Sequence, residues 1–101
     1  MNNRLEIAYE FAKAIDSEDI SKIIVYGSVA RGDDDEESDI DILIVSPKAD
    51  ELMNKINSVA VDFILEKEEF ISPHLMTEEH FEKTKDYPFL TNVLKEGLII
   101  G

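Results

Sequence analysis

Cysteine is absent from this 101-residue chain, so it has neither disulfides nor thiolate metal sites, and any metal would rest on oxygen or imidazole ligands. Oxygen ligands point to magnesium or a similar hard cation. Basic side chains are scarce: ten Lys and Arg stand against 23 Asp and Glu, a formal net charge of −13. Such a chain repels a polynucleotide backbone, so direct nucleic-acid binding is not expected. A nucleotide whose phosphates are shielded by a cation stays compatible, as does a basic protein partner; solubility alone accounts for the acidity equally well. No apolar run approaches the roughly eighteen residues of a membrane span, and Met1-Asn2-Asn3-Arg4 leads into a mixed segment rather than a signal peptide. A soluble, cytoplasmic protein is expected. There is no internal repeat or linker, and the length suits a single domain, residues 1–101, without room for a second substrate-binding domain.

What is present alternates between helical and extended patterns. Leu5, Ala8, Phe11, Ala12 and Ile15 recur at three and four residues, which predicts an amphipathic helix over 4–15. Ile23-Ile24-Val25-Tyr26 is a short β-branched and aromatic run, read as a strand covered on both faces. Gly27-Ser28 follows, and Val29-Ala30-Arg31 suits one helical turn that Gly32 stops. Five acids, Asp33 to Glu37, read as a solvated, mobile loop. From Ser38 to Val45 a second strand places Asp39, Asp41, Leu43 and Val45 on one face and Ile40, Ile42 and Ile44 on the other.

Ser46-Pro47 reads as a helix opening, and Leu52, Ile56, Val59 and Phe63 carry that helix to about Leu65, although Val59 to Leu65 would also suit a strand. Phe70 to Met76 looks extended, with Pro73 favouring a sheet edge. Thr77-Glu78-Glu79 opens a further helix, Tyr87-Pro88 interrupts it, a last helix runs from about Phe89 to Glu96, and Gly97 ends it before Leu98-Ile99-Ile100. The expected class is α/β (α+β), a small mixed sheet packed against helices.

The chemistry concentrates between Ile23 and Val45. Two aspartates two apart on a strand put their carboxylates on one side, about 6 to 7 Å apart at the backbone. Without a cation they repel by roughly 2 to 3 kcal/mol at an effective dielectric of about 20, and a shared or paired hard cation reverses that sign. A glycine directly after a strand lets the backbone turn tightly, and the adjacent serine offers an amide and a hydroxyl to phosphate oxygens. Arg31 could add a cation to the same anion, or pair with the Asp33 to Glu37 loop. Each feature alone marks a turn or a solvated strand end; the combination of strand, Gly-Ser, ten intervening residues and Asp-Ile-Asp opening a second apolar strand is more specific.

Gly27-Ser28-Val29-Ala30-Arg31-Gly32 followed by Ser38-Asp39-Ile40-Asp41-Ile42 resembles the signature of the polymerase-beta-type nucleotidyltransferase superfamily, and the small size resembles its minimal nucleotidyltransferase group. The ending, Tyr87-Pro88-Phe89-Leu90 through Leu94-Lys95-Glu96-Gly97, is similar to the tail of those proteins. The resemblance implies the polymerase-beta-like fold, with Gly27, Ser28 and Arg31 binding the phosphates of a nucleoside triphosphate. It implies Asp39 and Asp41 as catalytic ligands of two magnesium ions, and transfer of a nucleoside monophosphate, AMP from ATP, with pyrophosphate leaving. In that group the acceptor is a hydroxyl of a small helical HEPN-type toxin, and the transferase is its antitoxin.

The superfamily takes a third carboxylate from a later strand. The candidate strand, Ile71 to Met76, carries none: Ser72, His74 and Met76 share one face. Asp62 would serve if Val59 to Leu65 were a strand, Glu69 if the edge strand began early, and His74 could stand in as a base or be an ordinary exposed histidine. A non-catalytic nucleotide-binding module that neutralises its partner by binding is therefore the alternative to an enzyme, and an α/β domain with a coincidental motif is a third reading. Homo-oligomerisation through the edge strand is also open.

Overall fold

The computed structural model describes residues 3–35 and 37–101, Asn3 by its backbone alone; Met1, Asn2 and Glu36, the last a member of the acidic run, lie outside the described residues. Helix α1 (Asn3–Ala14) leads to strand β1 (Lys22–Tyr26), a one-turn helix α2 (Gly27–Arg31) and strand β2 (Ile40–Val45). Helix α3 (Ala49–Lys67), strand β3 (Ile71–Met76), helices α4 (Glu78–Thr84) and α5 (Pro88–Glu96), and the short strand β4 (Leu98–Ile99) complete the order. The strands form one mixed sheet in the order β3-β2-β1-β4. β1 pairs antiparallel with β2 and β4, whereas β2 and β3 are parallel. The parallel pair requires a crossover, and α3 supplies it.

Period-two alternation decides which helix covers which face. Ile23 and Val25 of β1 and Ile40, Ile42 and Ile44 of β2 point into a core with Ala8, Phe11 and Ile15 of the α1 segment and Ile56 and Ala60 of α3. The Phe11 ring meets Phe63 edge-on at 5.5 Å. The opposite faces of the same strands, Ile24, Leu43 and Val45, pack with Met76 against Phe81 of α4 and Leu90 and Val93 of α5. Both faces of β2 are thus covered along most of its length, and the end that starts with Asp39 and Asp41 is where this second layer stops.

Several local readings shift. Val59 to Leu65 is helical, inside α3, because its apolar positions continue the three- and four-residue stepping onto the core. Ser46 does not cap α3: it ends β2 fully buried, its hydroxyl donates to the Asp19 carbonyl at 2.6 Å and accepts from the Lys48 amide at 2.9 Å, and the helix begins three residues later. Thr77 does cap α4, accepting from the His80 amide at 3.0 Å. Pro88 takes the first turn of α5, where its missing N–H costs nothing. Gly97 lets the chain pass close under β1, since a Cβ there would stand 2.5 Å from the Val93 carbonyl and 2.6 Å from the Ile24 side chain.

The acidic segment is less solvated than its composition implies. Arg4 is about 10% exposed at its side chain and forks to Asp34 at 3.2 Å and Glu69 at 2.9 Å. It thereby joins α1, the loop before β2 and the turn before β3, while Asp33, Asp35 and Glu37 stay exposed.

Candidate functional site

Side-by-side pairing across three strands sets Tyr26, Asp41 and Ser72 in one row, with Leu43 and His74 opposite one another in a further row along the β2–β3 pair. All five side chains fall on the α4/α5 face of the sheet by strand alternation. Asp39 lies one residue before β2, exposed at its mouth, whereas Asp41 is half-buried. The structure therefore brings the Gly27 turn against Asp41, with Asp39 exposed just ahead of β2.

Gly27 is the hinge of the arrangement. Its φ of +74° is the left-handed conformation that L side chains avoid, and a Cβ there would stand 2.5 Å from Asp41 Oδ2. The carboxylate of Asp41 thus lies directly against the turn that starts α2. That turn has no side-chain cap, and it closes when the Gly32 and Asp33 amides donate to the Ser28 carbonyl. Arg31, at the end of α2, is half-exposed and held at 3.2 Å by Asp33 on one side and at 3.2 Å by Glu96 of α5 on the other. Pairing with the acidic loop was one of the two expectations for it; the partner 65 positions away left no local signal.

The electrostatics favour a cation. Burial pushes the Asp41 carboxyl above the ordinary aspartate range, the neighbouring Asp39 charge pushes it further, and Arg31 pulls it back only in part. Tyr26 is raised as well, by burial first and then by Asp41. Among the described residues no group of three or more His, Asp or Glu is placed to hold a metal ion, so these residues offer the Asp39 and Asp41 carboxylates and not a cage. That donor set fits magnesium, which is commonly held by one or two carboxylates with the remaining positions left to water and substrate phosphates.

None of the third-carboxylate candidates is paired with Asp41 in the sheet. Asp62 is exposed on a helix, Glu69 is engaged by Arg4 ahead of β3, and the position beside Asp41 is Ser72. His74 is exposed and stacks on Phe89 at 5.2 Å between ring centroids. Two clefts flank the pair. One, of about 460 Å³, runs from Ser38 and Asp39 to Glu69 and Phe70; the other, of about 400 Å³, opens from Gly27 between Tyr26, Arg31 and α5. The part of α5 was not legible beforehand because Phe89, Asn92, Val93 and Glu96 carry helical spacing that serves a core equally well.

Comparison with known proteins agrees with this geometry. The family described as nucleotidyltransferase domain matches residues 8–100. Two Methanocaldococcus jannaschii proteins, both named as proposed protein adenylyltransferases, are similar along nearly the whole chain. One is 39% identical over 94 residues, covering 90% of this chain and 91% of its own. The other is 34% identical over 99 residues, covering 93% and 95%. A crystal structure from Sulfolobus solfataricus, described as a proposed nucleotidyltransferase, shares the fold with a TM-score of 0.62 at 20% identity, over 96% of this chain and 78% of that one. On sequence match and fold together, the chain belongs to the nucleotidyltransferase domain family.

Proposed function

We propose that the protein is a magnesium-dependent nucleotidyltransferase that moves AMP from ATP onto a hydroxyl of a protein partner. The observation that carries this reading is the Asp41 carboxylate, raised by burial and by Asp39, lying against the positive-φ turn at Gly27. In this reading the Gly27-Ser28 turn receives the β- and γ-phosphates, and Arg31 exchanges one of its two carboxylates for a phosphate oxygen. Asp39 and Asp41 hold negative charge beside the α-phosphate and so fix where a divalent cation binds. One or two magnesium ions, when bound, supply neutralisation of charge on the attacking and leaving oxygens. The acceptor hydroxyl oxygen forms its bond to the α-phosphorus as the bond to the pyrophosphate oxygen breaks, pyrophosphate leaves with the bonding electron pair, and the hydroxyl proton passes to solvent.

A protein acceptor is supported by the names of the M. jannaschii relatives and by the net charge of −13, which disfavours a polynucleotide. The resemblance to the minimal group supports a HEPN-type toxin as that acceptor, with this chain as its antitoxin, working in the cytoplasm. Ser72 beside Asp41 favours a second reading, a nucleotide-binding module that neutralises its partner by covering it.

Incubating the protein with a HEPN-type partner, magnesium and ATP labelled at the α-phosphate separates the two. Label passing to the partner with the wild type, and none with Asp39→Asn/Asp41→Asn, is the expected outcome. Partner inhibition that persists in the double variant without any label transfer would establish the binding module instead.

A further inference from the structure

The geometry points to the cleft between Tyr26 and α5 as the seat of the adenine base of the donor nucleotide; this rests on the transferase reading and gives its specificity a location. The cleft, about 400 Å³, begins at Gly27 and is therefore continuous with the turn assigned to the phosphates. Its far wall is one face of α5, where Phe89, Asn92, Val93 and Glu96 stand at helical spacing. Val93 is buried in the core and anchors that face, while Phe89 remains 43% exposed. The rings of Tyr26 and Phe89 meet at 89° with centroids 5.6 Å apart, forming a corner, and His74 stacks on Phe89 and restrains it. A flat aromatic base can stack on one ring of such a corner and set its edge against the other.

Asn92 is exposed at the cleft. Its carboxamide presents a donor and an acceptor side by side, the complement of the adenine N6 donor and N7 acceptor, whereas guanine offers two acceptors, O6 and N7, along the same edge. The Arg31–Glu96 pair also lines the cleft. A base is also the uncharged part of a nucleotide, so this cleft accepts it without opposing the chain's net charge of −13.

Calorimetric titration in magnesium with ATP, GTP and inorganic tripolyphosphate tests the assignment, with circular dichroism to verify folding. The wild type is expected to bind ATP more tightly than GTP. Phe89→Ala should weaken ATP about tenfold, in keeping with the loss of one base-stacking contact, and leave tripolyphosphate unchanged. Asn92→Leu, at an exposed position, should bring ATP and GTP to similar affinities. If both variants bind ATP and GTP as the wild type does, the base cleft is wrong and the transferase reading stands. A parallel fall for ATP and tripolyphosphate in Phe89→Ala also overturns it, because the effect would then lie on the phosphates. A wild type that binds neither ATP nor tripolyphosphate overturns both readings.

Discussion

Asp41 carries a carboxyl group that its surroundings favour in the protonated form, since burial and the Asp39 charge raise its pKa in the folded protein. A carboxyl whose folded pKa lies above its unfolded value stabilises the fold below the ordinary aspartate range, and that contribution is lost as pH rises through the folded pKa. At neutral pH the ionised group therefore opposes folding, by a small amount because it is half-exposed. Asp41→Asn should raise the melting temperature at pH 7 by about 2 to 4 °C, on the order of half a kcal/mol, and the gain should vanish near pH 3. Magnesium should raise the melting temperature of the wild type and not of the variant. Thermal melts at both pH values, with and without magnesium, check this; an equal gain at pH 3 would show that the charge is not the cause. Gly27 is constrained by the same side chain from the other direction, since only a residue without Cβ leaves room for Asp41 Oδ2.

Elements far apart in sequence are tied near the site by one side chain. Arg4 of α1 bridges the loop that delivers Asp39 and the turn that starts β3, and the Ile40 amide donates to the Phe70 carbonyl at 2.8 Å in the same place. Removing the guanidinium takes away the cation shared by Asp34 and Glu69, whose side chains are only 9% and 26% exposed. Arg4→Leu should therefore cost about 2 to 3 kcal/mol in denaturant unfolding, with Arg4→Lys recovering only part because an ammonium, though it has three donors, lacks the rigid planar fork of the guanidinium. A loss below about 0.5 kcal/mol would place this network with ordinary surface pairs. Another long-range tie, Arg31 to Glu96, is half-exposed on both sides and contributes position more than stability.

Across the whole molecule the excess of acids is a standing cost. Among the described residues the ion pairs outside the Arg4 network are largely exposed, Lys83–Glu79 and Lys85–Glu82 within α4 and its end among them, and they do little against the repulsion within a chain of net charge −13. Raising sodium chloride from about 10 to 200 mM shortens the screening length from roughly 30 Å to under 10 Å. The melting temperature should rise by several degrees over that range, and a flat response would mean that the acids are spaced widely enough not to repel. No helix of the described chain is long and apolar enough to cross a membrane. Exposed apolar side chains are spread over several elements, Leu65 of α3, Phe70 before β3, Tyr87 before α5 and Ile99 of the short edge strand β4 among them.

The sequence by itself determined the elements and the motif, because these are written in local spacing. Three- and four-residue stepping marks α1 and α3, β-branched runs mark β1 and β2, and Gly27-Ser28 with Asp39 and Asp41 marks the turn and the carboxylate pair. Where competing local signals were close in energy, as at Ser46 and over Val59 to Leu65, burial against the rest of the chain chose between them. Only the tertiary structure decided which residue stands beside Asp41, because the parallel register of β2 and β3 is fixed by packing on both faces of the sheet, and it selected Ser72. The same holds for Arg4 with Glu69 and for α5 over Tyr26: residues that far apart meet only through the path of the folded chain, which no local pattern encodes.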